Sequence, residues 1–219
     1  MLRLLFFLRS VMFPAVIGGI IFVSAGRCDF PFVWMILAVM VTWYGLLAAF
    51  ADAGLMQERQ TPGAGNQDRL TRGLGGLLLI AHWVLAGLDI GRFHWSSVSS
   101  SVQIAGVVGY GLALSVNFWA LQANRFYSSV VRIQSDRGQV VIDGGPYRFV
   151  RHPGYSATLC AMFAGGIALG SWLAMLPVLG FAALFLRRTL IEDRLLLAEL
   201  PGYREYALRV RHRLVPGVF

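Results

Sequence analysis

Between residues 156 and 186 the chain runs thirty-one residues without one charged side chain. A helix needs about 20 mostly apolar residues to cross the hydrocarbon core of a bilayer, so this run is too long for one span. Gly165-Gly166, Gly170-Ser171 and Pro177 interrupt it. These residues read as a tight helical hairpin turning near Gly170-Ser171, with arms shorter than usual; one kinked helix is the alternative. Four further apolar stretches precede it, at roughly residues 11–25, 32–51, 74–90 and 102–121. The sequence therefore predicts an all-α integral membrane protein with about five to six transmembrane helices, a C-terminal helical hairpin among them.

Composition agrees. Of 219 residues, 57% are hydrophobic and 14% charged, against about 25% charged in a soluble domain. All nineteen basic residues are arginine, and the formal net charge is +8. Such a balance can signal a nucleic-acid partner. Here the arginines flank apolar runs, so anionic lipid headgroups are the natural counter-charge and no nucleic acid is expected. Cys28 and Cys160 lie far apart, and His82, His94, His152 and His212 lack metal-ligand spacing. No metal site, disulfide framework, P-loop or soluble dinucleotide fold is expected.

The arginines also predict orientation. With the N-terminus inside, seventeen of them fall in cytoplasmic segments, from Arg3 and Arg9 to Arg213, and only Arg27 and Arg92 fall outside. This follows the positive-inside rule and requires the hairpin to return to the cytoplasmic side. The N-terminal stretch resembles a secretory leader, but Arg9 interrupts its apolar region, so it reads as the first span. The polar segment 57–73, with Pro62-Gly63 and Gly65-Asn66 turn signals, reads as a cytoplasmic connector. Absence of lysine and compact length suggest a bacterial cytoplasmic membrane, with both termini cytoplasmic.

Chemistry concentrates in the C-terminal half. Residues 124–144 are too charged to span. Gln139, Val140, Val141, Ile142 and Asp143 form a short β-like run ended by Gly144-Gly145, where glycine lets backbone approach another group closely. Pro146 and Pro153 forbid a continuous helix across the next segment. Non-helical backbone at a membrane surface must find partners in protein, water or a ligand, so Val140, Val141 and Ile142 could line a flat ring through their backbone. Past the hairpin, Arg188 and Glu192 are four apart and share a helix face, with Asp193 adjacent. Taken singly these are ordinary interfacial features. Their joint occurrence around one hairpin points to a site at the membrane surface.

Gly145-Pro146-Tyr147, Arg151-His152-Pro153-Gly154-Tyr155, the hairpin and then Glu192-Asp193 resemble the R-H-P-x-Y … E-E signature of the isoprenylcysteine carboxyl methyltransferase and phospholipid methyltransferase superfamily. The tail from Leu200-Pro201-Gly202-Tyr203 to Pro216 is also similar. The resemblance covers roughly residues 124–216; earlier residues match only in hydropathy. It implies an S-adenosylmethionine-dependent methyltransferase embedded in the membrane. Its cofactor contacts would be Gln134, Gln139, Val140, Val141, Ile142, Tyr147, Arg151, His152, Pro153, Gly154, Tyr155, Glu192 and Asp193. Arg188, Glu192 and His152 would be the catalytic candidates, with Arg188 where donor meets acceptor. Two departures stand out: Asp193 replaces the second glutamate, and Gln139 stands where many members have histidine.

The resemblance divides the chain into residues 1–123, transmembrane helices on the substrate side, and residues 124–219, a methyltransferase core with a cytoplasmic tail. The acceptor would be a lipophilic small molecule or lipid, such as an isoprenoid carboxylate or a phospholipid amine. A carboxylate acceptor needs no general base, whereas an amine or hydroxyl must lose a proton, to His152 or Glu192. An NADPH-dependent membrane reductase of the sterol type and a non-catalytic membrane protein are the alternatives.

Overall fold

The computed structural model describes residues 2–65 and 68–219; the side chains of residues 2, 3, 5, 6, 9 and 10 are not described. The side chains of Arg3 and Arg9, used above for orientation, and Asn66 of the turn signal therefore lie outside the described residues. Eight α-helices account for most of the described chain: α1 (Leu2–Ala25), α2 (Pro31–Phe50), α3 (Ala53–Gln60), α4 (Arg69–Leu88), α5 (Ser100–Ala123), α6 (Pro153–Leu169), α7 (Met175–Glu199) and α8 (Tyr203–Arg209). No strand occurs among the described residues. The β-like run at Val140, Val141 and Ile142 is extended but joins no ladder.

Helix boundaries follow local chemistry. Pro31 and Pro153 sit at the first positions of α2 and α6, where a missing N–H costs nothing. The Asp52 carboxylate caps α3 by accepting from Gly54 and Leu55 N–H, and Asp68 caps α4 by accepting from Thr71 N–H. Gly170, in the left-handed region at φ 80°, ends α6. The turn falls at the Gly170-Ser171 position expected from sequence, and the two-arm reading holds. The arms are splayed, however: α6 packs chiefly on α5, and α7 on α4.

Three helical segments, Pro31–Phe50, Arg69–Phe93 and Ser100–Ala123, are long and apolar enough to cross a membrane, and Val11–Ala25 and Pro153–Leu169 are shorter apolar helices. Large apolar side chains such as Leu77, Leu112, Leu176 and Leu179 are exposed on helix faces. In water such a surface would be a liability; against lipid it is matched. The chain is an integral membrane protein. Small residues bring its helices close. A Cβ at Gly106 of α5 would sit 2.5 Å from the Ala168 backbone nitrogen of α6, and one at Gly87 of α4 would sit 2.4 Å from the Ile21 carbonyl oxygen of α1. Helix association in lipid relies on such contacts.

One end of the bundle carries Arg27 and Arg92 together, as the arginine count requires; Arg92 donates to the Ser24 carbonyl at 2.6 Å. There α4 continues into a π-helical turn, Asp89–Phe93. Asp89 is fully buried. It accepts hydrogen bonds from Ser96 N–H at 2.8 Å and from the Ser96 and Ser171 hydroxyls at 2.5 Å each. The hairpin turn is thereby pinned to the loop after α4. At the opposite end α7 runs past its apolar segment, beyond Arg187 and Arg188, and carries Glu192 and Asp193 clear of the span.

Candidate functional site

The segment between α5 and α6 folds back over the extension of α7, and the C-terminal tail straps it down. Arg151 and His152 N–H donate to the His212 and Arg213 carbonyls at 3.0 and 2.8 Å, and the Ser156 hydroxyl donates to Leu214 at 2.6 Å. Tyr206 of α8 donates to the Tyr147 carbonyl at 2.7 Å.

Asp193 anchors this arrangement. Buried, it accepts from Arg151 and Arg213 at 2.9 and 2.8 Å and from the Tyr203 hydroxyl at 2.9 Å, and it lies 3.5 Å from His152 Nε2. Burial opposes its ionisation, but His152, Arg151 and Arg213 outweigh that cost and hold the carboxyl well below the usual range. Burial and the Asp193 charge push the Tyr203 phenol up.

The result is a groove lined by Gln134, Gln139, Val140, Val141, Ile142, Tyr147, Arg151, His152, Gly154, Tyr155 and Glu192. Of the residues expected to contact a cofactor, the structure brings all but Pro153 and Asp193 to one wall. Pro153 opens α6, and Asp193 supports the groove from behind. The structure also shows what the two glutamines do locally: the Gln139 amide oxygen accepts from Gln134 N–H at 2.7 Å, and Gln134 donates to the Phe126 carbonyl at 2.6 Å. No backbone N–H or C=O of Val140, Val141 or Ile142 is bonded to another described residue. Val140 is exposed and Val141 and Ile142 are half-buried, and their backbone groups edge the groove as open donors and acceptors.

Arg188 and Glu192 do not pair directly. Arg188 Nε donates to the Tyr155 hydroxyl at 2.8 Å, and that hydroxyl donates to Glu192. The other guanidinium nitrogens bond Asp68 at 3.4 Å and the Ser129 carbonyl at 3.0 Å. Arg188 is 5% exposed and lines neither the groove nor the cavity beside it. It stands one layer behind Tyr155.

Sequence reasoning missed the other wall. Phe126, Tyr127, Ser128, Val130 and Arg132 line it, with Tyr203 and Tyr206 closing one end. The wall is held by α3: Glu58, 4% exposed, accepts from Arg132 at 2.8 Å and from Ser128 at 2.7 Å. Burial disfavours the Glu58 anion, yet Arg132 and Ser128 pull its pKa down. Partners about seventy residues apart leave no local signal in a sequence.

Beside the groove, among α1, α2, α4, α5, α6 and α7, lies an apolar cavity of about 220 Å³. It is lined by Phe13, Ile17, Met40, Trp83, Leu114, Met162 and others, with Arg59 as its charged residue. Tyr127 belongs to both linings. Gly154 makes room for that ring, since a Cβ there would lie 2.4 Å from Tyr127 Cε2.

Comparison with known proteins now bears on this geometry. Residues 102–199 match the phospholipid methyltransferase family. The resemblance drawn from the motifs is borne out over that stretch, which runs from α5 to the end of α7 and contains the R-H-P-x-Y segment and Glu192-Asp193. The phospholipid methyltransferase match supports a membrane methyltransferase in general terms. The chain is also 29% identical over 135 residues to the cobalt-zinc-cadmium resistance protein CzcN of Cupriavidus metallidurans. That alignment covers 60% of this chain and 58% of CzcN, so the chain spans less than two thirds of that relative's length.

Proposed function

We propose that the chain transfers the methyl group of S-adenosylmethionine to a lipophilic acceptor. The observation that carries this reading is the junction at Tyr127, where one ring separates a polar surface groove from an apolar cavity between helices. A water-soluble donor and a membrane-soluble acceptor need such a pair of adjoining volumes.

The groove residues suit the donor. The open backbone edge at Val140, Val141 and Ile142 fits a purine ring, and Glu192 offers a carboxylate to a cationic molecule. The donor, when bound, supplies an already activated methyl group. The chain then needs to align the partners and keep water away; a carboxylate acceptor requires no acid–base relay, whereas an amine or hydroxyl acceptor would give up its proton to His152 or Glu192. Tyr155, fixed between Arg188 and Glu192, and Tyr127, seated on Gly154, are rigid surfaces for that alignment. His152 stacks on Tyr155 with ring centroids 5.6 Å apart and braces it. In this reading Arg188 acts through Tyr155 as a positioning residue.

The division of labour we propose keeps residues 124–219 as the donor-side core and gives residues 1–123 the acceptor side. The groove opens to the cytoplasm, the side on which the arginines gather, in a bacterial inner membrane. Purified protein should bind S-adenosylhomocysteine in calorimetry and label a membrane lipid extract from isotopic S-adenosylmethionine. Absence of that binding, with NADPH bound instead, would replace this reading by a reductase.

A further inference from the structure

The Gly165-Gly166 pair inside α6 takes no part in the groove. It makes room instead for two polar rings. A Cβ at Gly165 would lie 3.5 Å from Tyr110 Cδ2, and one at Gly166 would lie 3.3 Å from His82 Cε1. Both rings line the apolar cavity. His82 stands about two turns before Asp89 on α4. Its Nδ1 lies 2.8 Å from the Ala174 carbonyl, in the hairpin turn that Asp89 pins through Ser171. That turn is at the opposite end of the bundle from the groove and Tyr127.

A carbonyl oxygen only accepts, so His82 Nδ1 carries the hydrogen. The other nitrogen, Nε2, has no hydrogen-bond partner among the described residues. His82 is 2% exposed, yet Nε2 is reached from the cavity, whereas the Trp43 indole nitrogen is sealed in. The described lining holds no carboxylate, and a bare imidazolium among apolar side chains is costly. The ring is therefore neutral and Nε2 is an acceptor. Fixing the turn uses Nδ1 alone and leaves this acceptor idle.

We propose that this end of the cavity is a hydroxyl-binding subsite. It takes a neutral lipophile whose O–H donates to His82 Nε2, with its hydrocarbon body along Ile17, Ile21 and Met40. A hydroxyl fits because it is an uncharged donor. An ether or ketone would set acceptor against acceptor, and a cation would enter without counter-charge. The Tyr110 hydroxyl, without a hydrogen-bond partner among the described residues, adds a second polar group to the same lining. Because the subsite is remote from the groove, the hydroxyl it holds is recognised and not methylated. The inference goes beyond methyl transfer and does not rest on it.

The test is equilibrium binding to purified protein without methyl donor, using dodecan-1-ol, dodecyl methyl ether and dodecan-2-one. The three probes all carry an acceptor oxygen, and only the alcohol donates. The alcohol should bind about five-fold or more tightly than the other two, the scale of one hydrogen bond. His82→Asn keeps an amide near the Ala174 carbonyl but places nothing at Nε2. It should remove the preference while melting close to the wild type. Equal binding of alcohol, ether and ketone by the wild type overturns the proposal even if the variant fails to fold. So does a His82→Asn protein that melts normally and still prefers the alcohol. Binding of S-adenosylhomocysteine tests the methyl-transfer reading separately, and its loss would leave this subsite standing.

Discussion

At the scale of single residues, Gly154 and Asp193 decide most. Gly154 was legible as part of the Arg151-His152-Pro153-Gly154-Tyr155 motif, but its reason was not, because Tyr127 meets it only through the fold. The Gly154→Ala variant drives a methyl group into the Tyr127 ring, an overpacking of about 1–3 kcal/mol. S-adenosylhomocysteine affinity should fall about ten-fold, measured by calorimetry. Asp193 was expected as a cofactor contact; the structure uses it to gather Arg151, Arg213 and Tyr203. Asp193→Asn strands a buried guanidinium and should lower stability by about 3–5 kcal/mol, seen by thermal unfolding in detergent. The pH dependence has a definite sign. A carboxyl with depressed folded pKa contributes its full stability above the unfolded value of about 3.9. That contribution is lost as pH falls through the lower folded value. The wild type should therefore weaken below about pH 4, and the Asn variant should lack that acid-side loss.

At the scale of elements, the helices were largely readable, because apolar runs, Pro31, Pro153 and Gly170 each act locally. What joins helices was not. The stripe of small residues between α5 and α6 looks in sequence like any apolar helix, and the Asp89, Ser96 and Ser171 knot ties residues up to 82 positions apart. The α3 helix was hidden in what read as a polar connector; its role emerges only through the ion pair of Glu58 with Arg132. Packing separates two glycines on α5. Gly106→Ala should cost about 1–3 kcal/mol, since its Cβ meets α6 backbone at 2.5 Å. Gly111→Ala, with nothing within 4 Å, should be neutral or slightly stabilising, because alanine favours helix over glycine by about 1 kcal/mol. Paired melting curves check both.

For the whole molecule, the sequence's charge partition and the structure's two ends agree: Arg27 and Arg92 share one end, and the groove lies at the other. The proposed orientation makes a labelling prediction from the two native cysteines, both exposed. A membrane-impermeant maleimide added to intact cells should label Cys28, beyond α1, and spare Cys160, on the lipid-facing surface of α6. Labelling of Cys28 only after the cells are opened would invert the topology. The groove and the cavity also differ in how far each could be foreseen: the motif residues outline the first, while the second is assembled from seven helices by distant contacts. Yet they are not independent volumes, for both end on Tyr127. Whatever displaces that ring from one side alters the free energy of occupancy on the other, and linkage makes the effect equal in both directions. In the proposed reading a single side chain therefore couples donor and acceptor, and a measured acceptor-induced change in donor affinity should reappear, by the same factor, as a donor-induced change in acceptor affinity.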